Sequence, residues 1–180
     1  AQFPIMQPIA DTGILISFGD HINDDIHAQV LAMDRAVVNA NLLGVTEMIP
    51  TYAALYVGYD ALQVDYATLC EHLTDLLGQG DRTAVTGKHW KIPVCYDDAF
   101  APDLPALAQA LDQTPEFVTS AHASAIYKVY MYGFAPGYAY MGGVPASIQH
   151  PRKSAPVMGV APQSVMVAGS QALITTVTMP

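Results

Sequence analysis

Positive charge is what this 180-residue chain has least of: seven Lys and Arg stand against sixteen Asp and Glu, for a net charge of −9. A nucleic-acid interface needs a basic face to meet phosphates, and an anionic membrane asks for the same, so the balance argues against both partners. Cysteine is nearly missing too. Cys70 and Cys95 are too few for a disulfide framework and lack metal-ligand spacing. Both are expected reduced in apolar surroundings, as suits a cytoplasmic protein. His21, His27, His72, His89 and His150 show no two-ligand spacing, so no metal site is expected. No apolar run approaches the roughly 20 residues of a membrane helix. The first residues, Ala1-Gln2-Phe3-Pro4, show no basic leader before an apolar stretch, so no signal peptide is expected. A phosphate-binding Gly-x-x-x-x-Gly-Lys-Ser/Thr loop and a Gly-x-Gly-x-x-Gly fingerprint are both absent, which leaves nucleotide to an unconventional pocket or a partner.

Apolar residues are plentiful, at 52% against 13% charged, so the chain folds around a real core. Ile14–Phe18 reads as a strand after the Asp11-Thr12-Gly13 turn. Asn23 caps a predicted helix with Asp24 and Asp25 in its first turn and Ile26, Val30, Met33 and Val37 on one face, ending near Gly44. Val45–Ile49 and Tyr52–Tyr59 read as strands. Asp65 caps a second helix that buries Leu69, Leu73 and Leu76 and stops at Gly78. The loose polar stretch 80–87 is the predicted boundary between domains 1–86 and 87–180. Strand, helix, two strands, helix, strand is the order of an α+β sandwich of the ferredoxin-like kind. Beyond the boundary, Lys88–Tyr96 reads as a strand. Asp103 and Thr114 cap short helices, and Ala125–Tyr132, Val160–Ala168 and Leu173–Val177 read as strands.

The densest signal is Gly133-Phe134-Ala135-Pro136-Gly137-Tyr138-Ala139-Tyr140-Met141-Gly142-Gly143. Four glycines and a proline permit conformations and close approaches that other residues resist, while the aromatics supply flat walls with hydroxyl handles. It suits a pocket rim, or equally a structural loop packed on its own aromatics. A basic segment follows at Pro151-Arg152-Lys153-Ser154-Ala155-Pro156, then Ser164-Val165-Met166-Val167-Ala168-Gly169-Ser170-Gln171. These residues, with Val45–Asp60 and Ile92–Tyr96 in support, resemble the family of the 5-oxoprolinase B-type subunit, also called allophanate hydrolase subunit 1. That family includes KipI-type kinase inhibitors and a domain of urea amidolyase. The resemblance implies a cyclophilin-like β-barrel for the second domain. Family members continue past the position of Met179-Pro180 into a Pro-Gly-Gly-Trp segment and more strands, so the expectation is a barrel lacking its closing strands.

Arg152 is the first candidate for chemistry, since a guanidinium between two prolines can grip a carboxylate or phosphate bidentately, with Lys153 as a second charge. The plain alternative is a solvated basic turn paired with surface acids. The resemblance places a histidine upstream of the glycine loop, and His122 matches it. It stands either as a proton donor and acceptor or as a cap on its helix's C-terminal end. Gly133, Phe134, Pro136, Gly137, Tyr138, Tyr140, Gly142 and Gln171 are the candidate substrate-binding residues, with Tyr138 read as pocket and Tyr140 as core. Ser164 has no nucleophile elbow around it. The chain departs from the family pattern in three places: Val157 stands for an arginine, Gln163 for a glycine, and Leu173-Ile174-Thr175 for Gly-Ile-Tyr.

By resemblance, the expected function is one subunit of an ATP-dependent amide- or lactam-opening hydrolase, inactive without C-type and A-type partner subunits. It converts 5-oxoproline to glutamate or acts on allophanate. Its ATP is bound with or by a partner. The competing reading is a KipI-like inhibitor that binds a histidine kinase.

Overall fold

A computed structural model describes residues 2–80 and 87–179. It is a mixed α/β structure with two four-stranded antiparallel sheets, and it divides into two compact units, Ala1–Gly87 and Lys88–Pro180. Residues 81–86, on which most of the predicted boundary falls, lie outside the described residues.

In the first unit the strands are β1 (Ile5–Ile9), β2 (Gly13–Ser17), β3 (Val45–Pro50) and β4 (Ala54–Tyr59), arranged β1-β2-β4-β3. Helices α1 (Asp24–Ala40) and α2 (Tyr66–Leu76) complete it. Alternation along β2 and β4 sends Ile14, Ile16, Leu55 and Val57 to one face, fully buried with Val30 and Val37 of α1 and Leu69 and Leu73 of α2. Each such side chain contributes about 1.5–3 kcal/mol of burial. The caps are those the sequence points to. Asn23 accepts from the amides of Asp25 and Ile26, and Asp65 from that of Thr68.

The element order corrects the sequence reading. A strand precedes the first expected one, and none is found after α2 before residue 97 among the described residues. Pro8 weakens the strand signal of β1 in the sequence. An edge tolerates proline, and β1 is an edge, paired to β2 alone. The Lys88–Tyr96 segment alternates like a strand yet has no strand partner among the described residues, and Trp90 is 78% exposed. α1 ends at Asn41, not Gly44. Its left-handed backbone (φ 46°) lets its amide reach the carbonyls of Val37 and Val38.

The second unit holds α3 (Leu104–Ala110), α4 (Pro115–Ser124), β5 (Lys128–Tyr132), β6 (Ala139–Gly142), a 3-10 turn at Ala146–Ile148, β7 (Val165–Ala168) and β8 (Gln171–Ile174). Its sheet runs β5-β6-β8-β7. Ala108, Val118, Met141, Val144, Ile148 and Ala172 form a smaller core. Thr114 caps α4 through the amide of Phe117. Asp103 does not cap α3, because its carboxylate is taken by Lys153. β7 begins at Val165 and not Val160, and β8 spans Gln171–Ile174 in place of Leu173–Val177. Cys70 packs against the first core, but Cys95 is exposed and not in apolar surroundings.

Candidate functional site

The glycine loop is the hairpin connection between β5 and β6, and its backbone is bent twice. The amide of Ala135 donates to the carbonyl of Gly133 at 2.8 Å across Phe134, whose φ is +68°. That is a γ-turn of the rare positive-φ kind, costly for a residue with a Cβ. Next, the amide of Tyr138 donates to the carbonyl of Ala135 at 3.0 Å, with Pro136 and Gly137 (φ +72°) as the central pair. Proline first and positive-φ glycine second make a type II turn. A third bond, from the Gly133 amide to the Tyr138 carbonyl at 3.2 Å, closes the loop. Among the described residues, the amides of Phe134 and Gly137 are left without a partner.

Three aromatic rings brace this turn. Phe134 and Tyr138 lie 5.3 Å apart, Tyr138 and Tyr140 5.1 Å. Tyr138 is only 3% exposed while Tyr140 is half-buried, which reverses the expected division of pocket and core. Burial raises the Tyr138 hydroxyl's pKa, the neighbouring Tyr140 raises it further, and the Arg152 guanidinium pulls it partly back. The basic segment therefore lies within electrostatic reach of the loop.

The two cations of that segment differ. Lys153 holds both oxygens of Asp103 at 2.7 Å in an exposed pair. Arg152 is exposed and has no carboxylate partner among the described residues. One charge is spent on tying the segment to α3, and the other is open to a ligand.

His122 is elsewhere. It lies in the last turn of α4, before β5, whereas the loop follows β5. Pairing of Lys128 with Gly142 and of Gly142 with Gln171 puts Gln171 and Gly142 at the His122 end, while Tyr132, Ala139 and Ile174 mark the loop end. Four steps of strand, roughly 13 Å, separate the two ends. The structure thus holds Gly133, Phe134, Pro136, Gly137 and Tyr138 in one loop, with the Arg152 charge felt at the Tyr138 hydroxyl, and sets His122, Gly142 and Gln171 apart from the loop.

Around His122 the sequence reading missed a partner. The Tyr96 hydroxyl lies 2.6 Å from His122 Nδ1, and the Tyr127 hydroxyl donates to the His122 carbonyl at 3.1 Å. The rings of Tyr96 and Tyr127 stand 5.8 and 5.1 Å from the imidazole. Burial lowers the His122 pKa below the usual 6.5 and pushes Tyr127 up to about 12. All three are neutral at pH 7.

Two of the departures from the family pattern, Gln163 and Thr175, meet at one buried hydroxyl. Thr175, 1% exposed, donates to the carbonyl of Ala161 at 2.7 Å and accepts from the amide of Ser164 at 2.9 Å. The intervening Gln163 has φ +68°, the conformation that explains a glycine there in relatives. Gln163→Gly is expected to stabilise the protein by about 0.5–1 kcal/mol, the relieved strain less the added chain entropy. A thermal melt shifted upward by a few degrees is the expected reading, and a downward shift would contradict it.

Two clefts lie in the first unit, one lined by Phe18, Met33 and Leu77, the other by Val38, Val45 and Met48. Neither contains a candidate residue. No group of three His, Cys, Asp or Glu among the described residues is arranged to hold a metal. No helix among them is long and apolar enough to cross a membrane.

The carboxyltransferase domain, subdomains C and D, matches residues 4–180. The chain belongs to this family. A relative from Bacillus subtilis, named as the B-type subunit of 5-oxoprolinase, is 30% identical over 97% of this chain and 78% of its own length. The crystal structure of TTHA0988 superposes with a TM-score of 0.73 at 32% identity, over 90% of this chain. The match spans only 32% of that longer chain. K. lactis urea amidolyase, at 14% identity, shares the fold with a TM-score of 0.75 over 96% of this chain and 12% of its own. The sequence resemblance to the 5-oxoprolinase B-type subunit is therefore a family relationship across nearly the whole chain.

Proposed function

We propose that this chain is one subunit of an ATP-dependent complex that opens an amide or lactam bond, of the 5-oxoprolinase or allophanate hydrolase subunit 1 type. The carrying observation is the strained loop between β5 and β6, with two unpartnered amides and the unpaired Arg152 charge in reach. Strain of that kind gathers at binding sites. An unstrained lactam is a poor electrophile, and phosphorylating its oxygen supplies a leaving group. Arg152 would steady the negative charge that develops, and the amides of Phe134 and Gly137 would orient the ring through its oxygens. Lys153 holds the segment in place through Asp103. The relatives' name supports this substrate class.

Among the described residues no helix start offers a nucleotide cradle. α1 opens on Asp24 and Asp25, α2 on Asp65 and α4 on Glu116, so these helix ends repel phosphate. ATP is assigned to a partner subunit, with C-type and A-type partners completing the enzyme. We read 1–86 as a ferredoxin-like sandwich whose β1 takes the place of the usual final strand, and 87–180 as part of a cyclophilin-like barrel.

The test is co-purification with C-type and A-type subunits, then assay of 5-oxoproline and allophanate with ATP. ATP-dependent opening of either substrate supports the reading. No turnover of either overturns it, and inhibition of a histidine kinase that survives loss of Arg152 would replace it with the inhibitor reading.

A further inference from the structure

Nothing in the family pattern named a partner for His122, yet one is present. We infer that Tyr96 is a positioning residue that fixes His122 as the tautomer protonated at Nε2, so that His122 presents a hydrogen-bond donor and not a base. The contact is Tyr96 Oη to His122 Nδ1 at 2.6 Å. It has one proton to share between two candidate donors. An imidazole lone pair is a far better acceptor than a phenol oxygen, and a phenol O–H a better donor than a neutral imidazole N–H. The hydroxyl therefore donates, Nδ1 accepts, and the ring proton is left on Nε2.

The surroundings hold this arrangement. Tyr127 donates to the His122 carbonyl and packs its ring beside the imidazole, which fixes the helix end and the ring together. Tyr96 and Tyr127, both raised above the usual tyrosine value by burial, keep their protons at neutral pH, and His122 stays uncharged. Among the described residues Nε2 has no protein partner and is not a buried orphan, so its N–H is open to a ligand. The ligand it suits is an acceptor oxygen, a carbonyl or carboxylate. A neutral imidazole donor serves such an oxygen without giving up its proton.

The catalytic use of that donor rests on the amide-opening reading, but the tautomer does not, and the two are tested separately. Nitrogen-15 NMR of this chain at neutral pH, correlating ring carbons' protons with both ring nitrogens, reads the tautomer directly. A protonated-type Nε2 beside an acceptor-type Nδ1 is expected in the unaltered protein. A protonated Nδ1 would overturn the inference whatever the enzyme does. Tyr96→Phe is expected to average the two nitrogens toward a mixture of tautomers, while Tyr127→Phe leaves them resolved. An unchanged spectrum in Tyr96→Phe would also overturn it. Should the complex turn over no amide at all, the functional reading fails while the tautomer stands.

Discussion

Arg152→Ala is expected to lower turnover in the assembled complex on the order of 100-fold, with this chain's fold intact. The magnitude is that of losing one charge-stabilising group from a site where negative charge develops. It applies to Arg152 and not to Lys153 because their surroundings differ. Lys153 is neutralised by Asp103 at 2.7 Å, whereas Arg152 has no carboxylate beside it among the described residues and acts on Tyr138 in the loop. Lysine at 152 keeps the charge but loses the planar fork, so Arg152→Lys is expected to fall between the two. Steady-state kcat/KM with saturating partner subunits decides it. Turnover unchanged in Arg152→Ala would return Arg152 to the role of a solvated surface charge.

Gly143→Ala should cost the second unit about 2–4 kcal/mol. Gly143 follows β6 with φ +105°, and a Cβ there would come within 2.5 Å of the Ile126 carbonyl oxygen and 3.4 Å of the Tyr127 Cα. Both obstacles are backbone, so neither can rotate away. Gly169 provides the comparison, since its φ is +57° but a Cβ would meet nothing within 4 Å. Gly169→Ala therefore carries the conformational cost alone, about 1 kcal/mol. Hydrogen exchange of the β5 and β6 amides, followed with chemical denaturation, measures both. Equal losses in the two variants would mean that the close approach at Ile126 is not real.

Much of the fold was legible because it rests on local chemistry. Asn23, Asp65 and Thr114 cap helices where their side chains can reach an amide two or three residues on. The apolar stripe of α1 and the alternation of β2 and β4 follow from the 3.6 and 2.0 periodicities alone. Pro136-Gly137 carries its own signal, since that pair at the centre of four residues specifies a type II turn. The γ-turn at Phe134 carries none. Phe134 is not a residue that favours positive φ, and the turn is held between β5, β6 and the closing Gly133–Tyr138 bond.

Strand pairing was the part read least well. Ile5–Ile9 carries a proline that weakens its strand signal, and Lys88–Tyr96 alternates as a strand does without being one. Alternation says which residues share a face. It does not say whether a neighbouring strand is there to pair with, because that neighbour comes from elsewhere in the chain.

The sequence alone determined the family, the N-caps of α1, α2 and α4, the net negative charge, and the candidate groups at Gly133–Tyr138, Arg152 and His122. Each depends on residue identity or on neighbours within a few positions. Tertiary structure decided what each of them meets. It bound Lys153 to Asp103, left the Arg152 charge to act on the Tyr138 hydroxyl, and gave His122 the hydroxyl of Tyr96 from 26 residues away. The reason is geometric: the register of β5 with β6 and of β6 with β8 sets the loop and His122 at opposite ends of one strand, and no local pattern encodes a distance of that kind.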